Sequence, residues 1–238
     1  MILFEEIDFI PFKTSSLPPG PWLVIAPHPD DEALGAGGAI LLARLLGISV
    51  SVIFVTSGEQ GGEPTEREQE ARKAAGILGI KKFSFFRFPD RKVYKHFSSL
   101  AFKLSKFMTK KYKTIFAPSL QEFHPDHRAV TLAALAAAGP HQNFWLYEVS
   151  RQGEVNRLLN IDSVFEEKRK AITCYTSQLK QNRYLELIEA LNKARTYTLQ
   201  DVKFAEGFFV APAALLLERY ASFLKKYFLM NLNENNTS

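Results

Sequence analysis

One cysteine, Cys174, stands in 238 residues. A lone thiol forms no internal disulfide framework, and the count suits a reducing compartment. No early basic segment leads into an apolar one as in a secretory leader. No apolar run approaches the ~20 residues that a membrane-spanning helix needs. The cytoplasm is the expected location, with no stable membrane insertion. Internal repeats and low-complexity linkers are also absent, so one domain is expected, of a size at which an α/β layer buries a full core. Neither common nucleotide fingerprint is present. Gly35-Ala36-Gly37-Gly38 lacks the dinucleotide spacing, and no Lys-Ser/Thr follows Gly58-Glu59-Gln60-Gly61-Gly62.

The net charge is +5 and the isoelectric point about 9.2. Lys81-Lys82, Lys110-Lys111 and Lys225-Lys226 lie far apart, as on a solvated surface, and no nucleic-acid partner is expected.

What the chain does contain is alternation. Residues 1–21, with Pro11, Pro18, Pro19 and Pro21, read as an N-terminal arm. Apolar strands at 22–26, 49–56, 82–87, 114–117 and 143–149 then alternate with helices at 35–46, 65–78, 97–111 and 127–138. Such βαβ succession implies a Rossmann-like α/β core over 22–150, a mostly parallel sheet flanked by helices. Residues 151–230 read as a C-terminal helical cap with helices at 163–176, 181–195 and 212–229 and an extended piece at 202–210. The last helix is apolar with a basic face, which suits core packing or a homo-oligomer contact. A polar, frayed tail at 231–238 completes the chain.

Two loops carry the chemistry. Ala26-Pro27-His28-Pro29-Asp30-Asp31-Glu32 directly follows the first strand, and His124-Pro125-Asp126-His127 follows the fourth. Three of the five histidines thus fall at strand C-termini, where open α/β sheets place ligands. Two histidines and an aspartate make a divalent-metal site, with acids and a histidine left for proton transfer. Adjacent residues in extended backbone point oppositely, so one of Asp30 and Asp31 can ligate while the other faces the reacting water. Spacing alone does not say which. Asp126 beside the two histidines favours a cationic imidazole. A metal-dependent hydrolase is the reading.

Together these motifs resemble the LmbE-like, or PIG-L, family of zinc-dependent N-acetylglucosaminyl deacetylases. Smaller matches follow in order: Arg67-x-x-Glu70 to Leu78-Gly79, Phe88-Pro89-Asp90, Tyr147-Glu148, Ser177-Gln178 and Ala205-Glu206-Gly207-Phe208. The resemblance implies His28, Asp31 and His127 as Zn²⁺ ligands, Asp30 as general base and His124 as oxyanion stabiliser or acid, with Asp126 in support. It places Arg67 at the cleft, where the plainer reading pairs it with Glu63 or Glu70. Asp90 and Arg91 would meet the sugar. A His₂Asp site also accepts Fe²⁺, Co²⁺ or Mn²⁺. The implied partner is a small amino-sugar conjugate. Two alternatives stay open: an amidase of the same family acting on a larger amide, and an idle sugar-binding protein.

Overall fold

The computed structural model describes residues 6–8, 10–108, 111–139 and 142–225. His141, the basic end of the last expected helix and the 231–238 tail lie outside these. In chain order come β1 (Trp22–Ala26), α1 (Asp31–Leu45), β2 (Val50–Phe54), α2 (Pro64–Leu78), β3 (Lys82–Phe85), α3 (Phe97–Phe107), β4 (Thr114–Pro118), α4 (Pro125–Ala137) and β5 (Asn143–Tyr147). The remainder holds β6 (Arg157–Asn160), α5 (Phe165–Ile172), α6 (Thr176–Leu179), α7 (Tyr184–Ala194), β7 (Ala205–Pro212) and α8 (Ala213–Arg219).

These strands form one seven-stranded sheet in the order β3-β2-β1-β4-β5-β7-β6. The first five are parallel, and β7 and β6 add antiparallel. Every residue of β1 is buried, as expected of a strand covered on both faces. Trp22, Val24 and Ala26 join a core with residues of α1, α2 and α5. Leu23 and Ile25 join the opposite core with α3, α4 and α8. Strand order reverses between β1 and β4, so the loops after these two strands flank the crevice where doubly wound sheets take ligands.

Several boundaries depart from the sequence expectation. Helix α1 begins at Asp31, four residues before the expected start, because Asp30 turns the chain sharply with φ 135°. The Asp30–Asp31 pair is therefore a turn entering a helix and not an extended segment. Asp31 and Glu32 occupy its first turn, where unpaired N–H groups favour carboxylates. The expected 163–176 helix breaks after Ile172, α3 stops at Phe107, and the 212–229 segment is interrupted at Tyr220. Strand β6 was not foreseen: with β7 it carries the C-terminal segment into the sheet itself, so the cap is not wholly helical.

The glycines of α1 serve packing. A Cβ on Gly35 would lie 2.2 Å from the Tyr147 ring, so only glycine lets α1 sit this close to β5. On the same helix, Gly38 N and Ala39 N donate to the Glu206 carboxylate at 2.7 and 2.8 Å. Glu206 in turn holds Lys168 Nζ at 2.7 Å, and Asn192 Oδ1 accepts from the same ammonium at 3.1 Å. All three side chains are buried. This cluster ties β7, α5 and α7 to the helix whose first turn enters the site.

Candidate metal and acid-base site

The two histidine loops meet over the β1–β4 crevice. Asp31 Oδ2 lies 3.2 Å from His28 Nδ1 and 3.3 Å from His127 Nε2, so one oxygen faces both rings. His28 Nε2, on the far side of its ring, is 3.0 Å from Asp90 Oδ1 and 3.5 Å from Asp126 Oδ2. Among the described residues, His28, His124 and His127 have ring nitrogens within 4.8 Å of one another, as do the ligating atoms of His28, Asp90 and Asp126. Nδ1 of His127 is buried without a hydrogen-bond partner, and Glu122 Oε2 stands 3.9 Å from it.

The donor set fits a divalent cation. Nitrogen and carboxylate donors converge from His28, Asp31 and His127. Carboxylates behind a histidine, as Asp90 stands behind His28, fix ring and tautomer in metal sites. Without a cation the acids share protons with the rings. Burial would strip His28 of its proton, but Asp126, Asp31 and Asp90 outweigh it and raise its pKa well above the usual value. Burial would likewise raise Asp31, yet His127 and His28 hold it far below the carboxylate range. Asp90 is lowered too, burial being overcome by His28.

Asp30 stands apart from that cluster. Burial pushes its pKa up to about 7, against the opposing charge of Arg67. Arg67 Nη2 donates to Asp30 Oδ2 at 3.1 Å and to the Pro29 carbonyl at 2.7 Å, and Nη1 to Gly58 O at 2.9 Å. Arg67 therefore pairs with Asp30, and with neither Glu63 nor Glu70. A Cβ on Gly58, whose φ is +67°, would meet that guanidinium at 2.0 Å, which requires glycine there. Glu70 instead receives Thr176 Oγ1, Ser177 N and Ser177 Oγ, each at 2.7 Å. Gln178 Nε2 donates to Gly61 O at 3.0 Å, so the glycine-rich loop is pinned by the cap.

His124 caps α4. Its Nδ1 accepts from Asp126 N at 3.2 Å, which puts the proton of the neutral ring on Nε2. Burial, with the charges of His28 and His127, lowers its pKa to about 4. Asp126 does not hold His124 cationic: its oxygens accept from Arg91 N at 2.6 Å and Val93 N at 3.2 Å and face His28. Asp90 is spent on His28 and on Gln60 N at 3.0 Å. The exposed Arg91 lines the cavity rim.

These residues line a cavity of about 530 Å³ that also includes Gln60, Phe123, Ser150, Gln181, Asn182 and Tyr184. Sequence reasoning missed four supporting groups. Glu122 accepts from Val149 N at 2.7 Å and from Ser150. The Tyr175 hydroxyl bonds Glu32, whose pKa burial raises to about 8. Tyr184 and Gln181 enter the wall from the cap. Glu122 stands two residues before His124, and Tyr175 and Gln181 flank Ser177-Gln178, but no residue-type rule marks any of the four.

A family model described as "PIG-L: GlcNAc-PI de-N-acetylase" matches residues 23–138. A protein of Bacillus cereus described as a probable N-acetyl-alpha-D-glucosaminyl L-malate deacetylase 2 is 29% identical, over 66% of this chain and 82% of its own. Diacetylchitobiose deacetylase of Thermococcus kodakarensis is 29% identical, over 67% of this chain and 70% of its own. Among solved structures, the N,N'-diacetylchitobiose deacetylase of Pyrococcus horikoshii superposes with a TM-score of 0.73 at 22% identity, covering 82% of this chain and 85% of that one.

Proposed function

We propose, for a chain that carries a PIG-L (LmbE-like) family domain over residues 23–138, that it removes the acetyl group from an N-acetylglucosaminyl conjugate. Water and the amide become acetate and a free amine. The observation that carries this reading is the single Asp31 oxygen facing His28 Nδ1 and His127 Nε2 at 3.2 and 3.3 Å, at the switch point of a sheet whose relatives are described as deacetylases.

His28, Asp31 and His127 would hold Zn²⁺, backed by Asp90 and Asp126 behind His28 and by Glu122 beside His127. Zinc held there supplies Lewis acidity toward an amide carbonyl and lowers the pKa of a water. Asp30 takes the proton from the attacking water. Its raised pKa and its fixed pairing with Arg67 suit a base that later returns this proton to the leaving amine. His124 offers Nε2–H to the oxygen that becomes negative, because its Nδ1 is committed to the Asp126 N–H. Arg67 orients Asp30 through Nη2, and Asp90 orients His28, so both act on other groups of the site. We assign the chain to one domain, with residues 1–21 as its arm and 151–230 as its cap. The single cysteine supports the cytoplasm as its compartment, and no helix among the described residues is long and apolar enough to cross a membrane.

The test is free-amine release from a panel of N-acetylglucosaminyl conjugates by zinc-loaded protein, run beside Asp30→Asn. Release that disappears in the variant supports the reading. Silence across the panel from protein that retains its metal overturns it.

A further inference from the structure

The sheet has two ends of opposite charge. The C-terminal ends of its parallel strands open on the crevice, where Asp30, Asp31, Asp90 and Asp126 gather around the histidines. At the other end, the segments that lead into β1 to β5, residues 13–21, 46–49, 79–81, 108–113 and 138–142, contain no aspartate or glutamate. Lys81, Lys111 and Lys113 stand in them, and Lys82 opens β3. All four are exposed, and none has an ion pair among the described residues. The fold brings together what the sequence separates: Lys81 and Lys82 border one groove with Tyr112 and a second with Arg44, Gly47 and Ile48.

Helices α1 to α4 also end here, at Leu45, Leu78, Phe107 and Ala137, and helix C-termini favour cations. That accounts for the lysines and not for their neighbours. Leu45 and Leu46 are 62% and 69% exposed. Gly47 N donates to Arg44 O at 3.1 Å and Ile48 N to Ala43 O at 2.9 Å, with Gly47 at φ 68°. This paired closure of the helix end turns Ile48 onto the core and leaves the two leucines outside. Arg44, at the same turn, is paired with Glu167 at 2.8 Å and adds no net charge. The turn is made by backbone bonds and a glycine, so polar residues at 45 and 46 would serve it equally. Instead a rigid tip holds two adjacent apolar side chains in water beside unpaired ammonium groups.

We propose that this end of the sheet docks on an anionic lipid bilayer. Leu45 and Leu46 enter the boundary between headgroups and acyl chains, and Lys81, Lys82, Lys111 and Lys113 face the lipid phosphates. Apolar insertion joined to a basic ring holds a protein at a bilayer surface without spanning it. A second copy of the chain meets this face with like charge, and a nucleic acid leaves the leucines in water. The bilayer is the occupant that uses both features. The crevice lies at the opposite ends of the same strands, about 16 Å away for five residues at about 3.3 Å each, and it faces water when the tip is docked. Docking at this end does not depend on the reaction read for the crevice.

The experiment is flotation of the full chain with phosphatidylcholine vesicles, made with and without phosphatidylglycerol. Binding is expected on the anionic vesicles alone and should fall as salt is added. Each lysine near the surface contributes about fivefold in partitioning, so Lys81→Gln with Lys82→Gln should weaken it about 25-fold. Leu45→Ser with Leu46→Ser should weaken it at least about tenfold. Insertion is read separately from Leu46→Trp, whose emission should shift to the blue on anionic vesicles. The native Trp22 and Trp145 are buried and give a constant background. Urea midpoints near the wild-type value establish that the variants are folded. No flotation of the wild type overturns the proposal, as does flotation that either pair of substitutions leaves unchanged. Binding to duplex DNA with no blue shift on vesicles overturns it in favour of a nucleic-acid face. A leucine-pair variant that dissociates a wild-type oligomer overturns it in favour of contact between copies.

Discussion

Glu206→Gln removes the counter-charge of a fully buried lysine and the acceptor of one backbone N–H. In the native protein burial pushes the Lys168 ammonium toward its neutral form, and Glu206 opposes that push. The contact is 2.7 Å, with Lys168 0% and Glu206 1% exposed. A glutamine keeps the volume but only one acceptor oxygen; with that oxygen at the Oε1 position Gly38 N keeps its partner, while Ala39 N faces the new NH₂ and loses its own. Lys168 is left with neutral partners, and it can escape a buried charge by releasing its proton. For a lysine with an ordinary pKa of about 10.4, that release at pH 7 costs about 3.4 pH units of 1.36 kcal/mol each, or about 4.6 kcal/mol. For the lysine's share this is a ceiling, since Asn192 and the new amide oxygen still accept from the group. The expected loss at pH 7 is about 3–4 kcal/mol, within the range for breaking a buried pair. The sign of the pH dependence distinguishes this account from lost packing. In the variant the folded-state pKa of Lys168 lies below its unfolded value, so the unfolded chain binds more protons and stability rises with pH. At pH 9 the ceiling falls to about 1.9 kcal/mol. Urea unfolding of wild type and variant at both pH values measures the difference. A penalty below about 1 kcal/mol at pH 7, or one that does not shrink at pH 9, refutes the reasoning. Lys168→Met added to Glu206→Gln should recover much of the loss.

Other consequences are as direct. Asp30 holds φ 135°, which costs a non-glycine residue about 1–3 kcal/mol; Asp30→Gly should therefore unfold at higher urea than Asp30→Ala, and equal midpoints would mean the loop relaxes freely. Asp31→Ala and His127→Ala should lose metal and activity together, whereas Asp30→Asn keeps the metal and loses about 10²–10⁴-fold in turnover. Metal loss in Asp30→Asn, with Asp31→Asn still loaded, would reverse the two roles. Glu122 lies 3.9 Å from the unpartnered His127 Nδ1, so Glu122→Gln should weaken zinc binding about 10–100-fold in a chelator competition. An unchanged affinity would reduce Glu122 to an anchor for Val149 and Ser150.

The parts of the fold that were legible in sequence are those whose signal is local. Trp22–Ala26 is apolar throughout and was placed to the residue, and Pro64 and Gly79 bracket α2 by their backbone preferences alone. The start of α1 was misjudged because nothing in His-Pro-Asp-Asp-Glu announces that Asp30 tolerates a positive φ; the buried pairing with Arg67, 37 positions on, holds it there. Strand β6 was invisible for a related reason. Four residues, two of them polar and exposed, become a strand only because β7 offers an edge nearly 50 positions later.

The same division runs through the site. Its candidate reactive side chains are written in two short segments, of seven residues and of four, so residue type and spacing sufficed to gather His28, Asp30, Asp31, His124, Asp126 and His127. Their supports come from far along the chain: Tyr175 reaches Glu32 across 143 positions, and Ser177 reaches Glu70 across 107. Arg67 and Asp90 illustrate what this distance conceals. Both read as sugar contacts because both sit at the cleft, yet the fold spends each on another catalytic group. An arginine that donates to Asp30, Pro29 and Gly58 is engaged inside the site, and a carboxylate behind His28 cannot leave it without freeing the ring. The outer lining of the cavity comes from Phe123, Gln181 and Asn182, residues with no spacing rule among them. Reaction chemistry needs fixed residue types, whereas recognition at a rim needs only a shape and a pattern of donors. The cap can therefore diverge while the two histidine segments stay recognisable, which is why the reaction could be read from the motifs and the aglycone could not.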